Sequence, residues 1–180
     1  MDKKSSSLSK TMNILLTGQR NIGKTTLIEA FLNANPYIIA GFVTKKQRYA
    51  QASDGVFIYD INDKNQQTSL RHLVAICGKK QIVKKFDHPF ETIGVQSLNR
   101  RPCDLIIMDE LGLIENQAVL FRKAIIDALN SDVPVLGVIK DSDDAYLNDI
   151  RNREDVKVIS VTQKNRQETL KQLQFLLNLK

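Results

Sequence analysis

The sequence predicts an α/β fold: a mainly parallel sheet with helices on both faces, interrupted by an antiparallel β insertion over about residues 37–85. Three observations carry this reading. After residue 104, short apolar runs alternate with amphipathic stretches, the pattern of strands buried on both faces and joined by crossover helices. Between residues 37 and 85 the apolar runs follow one another across turn-rich stretches, as hairpins do. The 180 residues, 42% hydrophobic and 26% charged, suffice for one globular core and exclude a disordered or collagen-like chain.

Residues 1–10 read as a flexible polar tail ahead of a single domain over 11–180. Met12 to Thr17 is a short apolar strand. A glycine-containing turn leads into a helix from Lys24 to about Asn33, with Leu27, Ile28, Phe31 and Leu32 on one face, and Pro36 ends it. The β insertion follows, with strands at Tyr37 to Thr44, Gly55 to Ile61, near Leu70 to Ile76, and near Ile82 to Lys84. Pro89 to Leu98 reads as a short helix. The C-terminal half then alternates: strand Asp104 to Met108, helix Gln117 to Leu129, strand Pro134 to Ile139, helix Asp143 to Asn152, strand Val156 to Val161, helix Gln167 to Leu177.

The 26 Lys and Arg exceed the 20 Asp and Glu by six, a balance that favours anionic partners without choosing among them. The charge is unevenly placed. Residues 71–101 hold seven bases and two acids (+5), while residues 102–150 hold three bases and ten acids (−7). Cys77 and Cys103 are far apart and lack metal-ligand spacing, and no stretch approaches a membrane span, so the expected setting is the cytoplasm. His72 and His88 lack acidic or cysteine partners at catalytic spacing and read as structural or exposed. Sequence alone sets no oligomeric state.

Gly18, Gln19, Arg20, Asn21, Ile22, Gly23, Lys24 and Thr25 satisfy G-x-x-x-x-G-K-[ST] between an apolar strand and an amphipathic helix, the context that motif requires. The chemistry follows from the residue types. Glycines let the backbone wrap a phosphate, successive N–H groups form a nest, and the helix N-terminus adds the positive end of its dipole. Lys24 offers a point charge to the β and γ oxygens, Thr25 a hydroxyl to Mg²⁺, and Thr26 a donor to the α-phosphate.

A metal-holding carboxylate is expected at the end of a neighbouring strand, and the apolar run from Leu105 to Met108 ends in Asp109 and Glu110. Asp109 is placed to bind Mg²⁺ with Thr25. Glu110 faces the other way because strand side chains alternate, and there it can polarise a water in line with the γ-phosphorus. Paired acids of this kind favour hydrolysis over transfer to another acceptor.

Gly18 to Thr26, Gly41 to Thr44 with Arg48, Asp109 to Gly112 with Glu115, Pro134 to Val138, Ile150 to Arg153 with Asp155 to Val158, and Val161 to Arg166 together carry a resemblance. They resemble the nucleoside-triphosphatase family first described from thermophiles, which includes a human cancer-related nucleoside-triphosphatase. The resemblance spans about Asn13 to Leu177. It implies a RecA-like P-loop fold of three layers and Mg²⁺-dependent hydrolysis of nucleoside triphosphates, ATP and GTP among them, to diphosphate and phosphate with loose base selectivity. The family's acidic strand end maps onto Asp109, Glu110, Leu111 and Gly112. Two stretches depart from the family, one against its pattern D-E-x-G-K-M-E and one against the E-x-R that precedes it. Leu113 stands where the family carries a lysine, and Lys45, Lys46, Gln47 and Arg48 replace the E-x-R.

Arg48, following a strand of the insertion, is the candidate transition-state cation, with a solvated loop arginine as the alternative. Asn165 and Arg166 follow the last parallel strand, at the carboxyl edge where ligands collect in open α/β sheets. Asn165 could read the base and Arg166 stack on it, or both could serve the helix start. Arg151 and Arg153 lie at a helix end, where the dipole accounts for them. Two further functions remain in view: a P-loop kinase of a small molecule or polynucleotide end, and a regulatory NTPase linked to nucleic acid. The basic run from Arg71 to Arg101 motivates the second, although only Phe86 and Phe90 interleave it.

Overall fold

In β1 (Asn13–Thr17), Ile14 and Leu16 point to one face of the sheet and Leu15 to the other, and all three are fully buried. Helices must therefore cover both sides. The computed structural model describes residues 12–50, 53–79 and 81–177. The proposed tail, residues 1–10, lies outside them.

After α1 (Lys24–Asn33) the chain forms β2 (Ile39–Ala50), β3 (Ser53–Asp60), β4 (Leu73–Cys77) and β5 (Ile82–Lys85). A turn of π-helix, Phe90–Gly94, leads into α2 (Val95–Leu98). The alternating half supplies β6 (Leu105–Leu111), α3 (Val119–Leu129), β7 (Val135–Ile139), α4 (Ala145–Arg151), β8 (Val156–Ser160) and α5 (Arg166–Leu176). These join in one eight-stranded sheet of order β5-β4-β3-β2-β6-β7-β1-β8. The stretch from β2 to β8 is parallel, and β2 to β5 form an antiparallel meander.

Two apolar layers sandwich the sheet. On one side Ile14, Leu16, Leu105 and Ile107 meet Leu27, Ile28 and Phe31 of α1 and Leu173 of α5. On the other, Leu15, Ile106 and Met108 meet Phe121, Ile125 and Leu129 of α3 and Leu147 of α4. Each such fully buried side chain stabilises the fold by about 1.5–3 kcal/mol relative to exposure. The predicted α/β class holds.

The insertion differs from expectation in where it begins. The strand predicted at Tyr37 to Thr44 runs from Ile39 to Ala50, and its first half belongs to the parallel sheet, pairing Ile39 with Leu105 and Val43 with Asp109. Its polar second half is held by β3, with Lys46 paired to Asp54 at 2.9 Å. Neighbour pairing, rather than an apolar run, extends it. The strand predicted from Leu70 starts at Leu73, after a 3₁₀ turn over Leu70–His72 whose His72 ring stacks on Tyr59.

Candidate active site

Between β1 and α1, Gly18 at φ +135° and Gly23 at φ +94° take backbone conformations open to glycine, and Asn21 sits at φ +60°, which asparagine tolerates. Neither glycine has room for a side chain: a Cβ would lie 2.5 Å from the Val161 carbonyl at Gly18 and 2.8 Å from the Arg166 guanidinium at Gly23. No side chain caps α1 and its first turn holds no acid. The leading N–H groups and the positive end of the dipole are thus left for an anion. The Lys24 ammonium spans the loop, donating to the carbonyls of Gly18 and Gln19 at 2.9 Å each.

Across from the loop, the end of β6 leaves its regular pairing with β7 between Met108 and Leu111. Asp109 is 4% exposed, Glu110 is exposed, and Leu111 is fully buried. Burial pushes the Asp109 carboxyl up to about 6; a hydrogen bond from the Thr25 hydroxyl opposes that shift, and the charges of Glu110 and Glu29 add to it. Beyond β6, Glu115 is almost fully buried, and its carboxylate accepts the Gly112 N–H at 2.5 Å. Burial raises its pKa as well.

A cavity of about 1030 Å³ opens between these groups. Gly18, Gln19, Arg20, Asn21, Gly23, Lys24, Thr25 and Thr26 form one wall, and Glu110 with Gly112 to Glu115 another. Ile22 packs into the core beside α1 and Leu111 is wholly a core side chain, and neither lines the cavity. The far wall, Thr44, Lys46, Val56 and the turn between β4 and β5 that carries Lys79, escaped sequence reasoning. So did Lys140, although it directly follows a strand at the same carboxyl edge.

Arg48 and Asn165 stand outside the cavity wall. Arg48 lies within β2, two residues past Lys46 on the same face; its side chain is 70% exposed and 3.7 Å from Asp54, and it does not line the cavity. Lys46 is the cation that β2 gives to the cavity. Asn165 organises its own turn: its Oδ1 accepts the Thr162 N–H at 2.7 Å and its Nδ2 donates to the Ser160 carbonyl at 2.8 Å. Both bonds lie within the turn between β8 and α5, and the Asn165 side chain caps no N–H of the helix. Arg166 packs against Gly23, with its buried Nε unpartnered, at the edge of the loop.

Residues 13–174 match a protein family described as NTPase. The chain belongs to this NTPase family. It is 32% identical over 158 residues to nucleoside-triphosphatase THEP1 of Methanocaldococcus jannaschii, covering 79% of this chain and 91% of that protein. With nucleoside-triphosphatase THEP1 of Thermotoga maritima it shares 29% over 178 residues, 90% of this chain and 93% of the other. In fold it is similar to the crystal structure of THEP1 from Aquifex aeolicus, at a TM-score of 0.70 and 23% identity over 92% of this chain and 99% of that one. The solution structure of a human cancer-related nucleoside triphosphatase superposes at 0.64, with 24% identity over 90% and 95% of the two chains. The family read from the motifs is therefore the family of the protein, and the NTPase is an enzyme of nucleoside-triphosphate hydrolysis. No helix among the described residues is long and apolar enough to cross a membrane.

Bases of the run over 71–101 meet different surroundings in this NTPase. Lys79 lines the cavity, Lys84 lies over the Phe86 ring, Lys85 donates to the Leu113 carbonyl, and Arg100 pairs with Asp60 at 2.7 Å.

Proposed function

We propose that the protein hydrolyses nucleoside triphosphates to diphosphate and phosphate with Mg²⁺, activating water through Glu110. The observation that carries this is the meeting of the α1 start with the end of β6: Lys24, Thr25 and Glu110 line one cavity, and the buried Asp109 carboxyl lies close enough to the Thr25 side chain for it to hold that carboxyl's pKa down. Hydroxyl and carboxylate are hard oxygen donors, and a carboxylate held away from water beside a phosphate-binding loop suits a hard divalent cation. Thr25 and Asp109 would hold it. Bound there, Mg²⁺ would neutralise charge on the β and γ oxygens.

The remaining work falls to the chain. The loop N–H groups and the α1 dipole bind the phosphates, Lys24 turns from the loop carbonyls to the β and γ oxygens, and Thr26 donates to the α-phosphate. Arg166, against Gly23, adds a cation where the loop meets the helix. The Glu110 carboxylate, exposed in the cavity, accepts a proton from a water aligned with the γ-phosphorus. Loose base selectivity fits a site whose closest contacts come from loop backbone. Two unpaired cysteines, Cys77 and Cys103, suit the reducing cytoplasm.

The test is phosphate release from ATP, GTP, CTP and UTP with and without Mg²⁺, on the native protein and on Glu110→Gln. Release that needs Mg²⁺, needs no added acceptor and differs little among bases is expected. Glu110→Gln should still bind Mg²⁺-nucleotide while turnover falls by roughly 10² to 10⁴. Wild-type turnover in that variant removes the base assignment, and release that depends on an added alcohol acceptor favours a kinase.

A further inference from the structure

We propose that Lys140 is a second phosphate-binding cation of this site, reaching the γ-phosphate from β7. The inference rests on the hydrolytic reading above and extends it to a residue outside both motifs. Topology is the first reason. β7 lies between β1 and β6, and all three are parallel, so the residue that leaves β7 emerges between the phosphate loop and the acids Asp109 and Glu110. Every residue of β7 is buried, and Lys140 is the first exposed residue after it.

Anchoring is the second reason. The Lys140 N–H donates to the Leu111 carbonyl at 2.8 Å, tying the end of β7 to the end of β6. From the opposite side, the Arg151 guanidinium donates to the Lys140 carbonyl and, at 3.1 Å, to that of Ser142. The aliphatic stem runs beside Gly112, its Cδ 3.8 Å from where a Cβ on that glycine would stand. Backbone and stem are thus placed before any nucleotide arrives, which lowers the ordering cost of the contact.

Charge is the third. Lys140 shares the cavity with Lys24, Thr25 and Glu110, and its ammonium makes no ion pair among the described residues. Leu113, in the cavity wall, packs against the apolar layer and brings no charge. The acids of the same cavity do not compete equally: Glu115 is buried and engaged with the Gly112 N–H, and Glu110 and Asp141 remain open to it. A triphosphate brings more negative charge than either, and the charge on its leaving oxygens grows in the transition state.

The experiment compares Lys140→Ala, Lys140→Met and Lys140→Arg with Lys24→Ala in the full chain. It measures the Kd of a non-hydrolysable triphosphate analogue and of the diphosphate, both with Mg²⁺, and the single-turnover rate. Methionine keeps the stem against Gly112 and removes the charge, so it separates packing from electrostatics. Lys140→Ala and Lys140→Met should lose about 10²-fold in single-turnover rate and about 10-fold in triphosphate affinity. Diphosphate affinity should stay within about twofold, and Lys140→Arg should recover part of the rate. Equal loss of diphosphate and triphosphate binding overturns the proposal, as does a native rate in Lys140→Met when Lys24→Ala is inactive. Native rates in both Lys140→Met and Lys24→Ala overturn the hydrolytic site reading together with it.

Discussion

Asp109 pays for its position before any metal arrives. Its carboxyl has an ordinary value near 3.8 and is pushed up to about 6, chiefly by burial. A carboxyl whose pKa is higher in the folded than in the unfolded chain favours folding at low pH, where both states are protonated, and loses that advantage as pH rises through 3.8 to 6. In metal-free protein the loss amounts to about 3 kcal/mol by pH 7. Asp109→Asn should therefore raise the melting temperature of the metal-free protein at pH 7 to 8 and change it little at pH 4. A variant that melts lower at pH 8 than the native protein would mean that the fold stabilises the carboxylate. Native protein, unlike the variant, should regain stability when Mg²⁺ is added, because binding to the folded state alone shifts the equilibrium.

A strand's two faces can carry separate duties, and β2 divides its length as well. Thr44, Lys46 and Arg48 share one face by the period of two, yet only the first two line the cavity. Lys46→Ala should lower kcat/KM by about tenfold, the worth of one charge-assisted contact, whereas Arg48→Ala, measured in the same steady-state assay, should stay within about twofold of native. The reverse ranking would return Arg48 to the site through a movement of the meander. The contrast also shows what was legible in the sequence. β1, β6 and β7 are buried on both faces and announce themselves as apolar runs, and the phosphate loop is contiguous, so its chemistry can be read directly from Gly18 to Thr26. The polar half of β2 cannot be found that way, because Asp54 and the rest of β3 hold it across the sheet. For Asn165 the sequence makes the position at the carboxyl edge visible, but not its two hydrogen bonds within the turn. Lys140 was missed for a topological reason: only the strand order puts β7 between the loop and the acids.

At the scale of the whole molecule, the two ends of the parallel sheet do different work. Chemistry collects at the carboxyl end, where β1, β6 and β7 release the loop, the acids and Lys140. The amino end is knitted by polar side chains that never reach the cavity. Asn13, 1% exposed, donates from Nδ2 to the Leu129 carbonyl that ends α3 at 3.0 Å and accepts the Val135 N–H that opens β7 at 3.1 Å. Its own N–H donates to the Asp155 carbonyl at 2.8 Å, and Arg153 braces this corner through Asp155 at 2.7 Å and the Asn130 side chain at 2.7 Å. Asn13→Ala would leave the buried Val135 N–H without its partner and the Leu129 carbonyl with only the Arg153 guanidinium at 3.5 Å, each weakened group costing about 1–3 kcal/mol. The expected loss is about 2–4 kcal/mol, a fall in melting temperature of roughly 5–15 °C for a chain of this size. Because the network stands at the opposite end of the strands from Lys24 and Glu110, the folded variant should keep native kcat/KM at temperatures well below its melting point. Thermal denaturation followed beside steady-state phosphate release checks both halves. A variant that melts as the native protein does would show that water or a neighbour satisfies the two groups, and a stable but inactive one would show that the amino end sets the geometry of the loop.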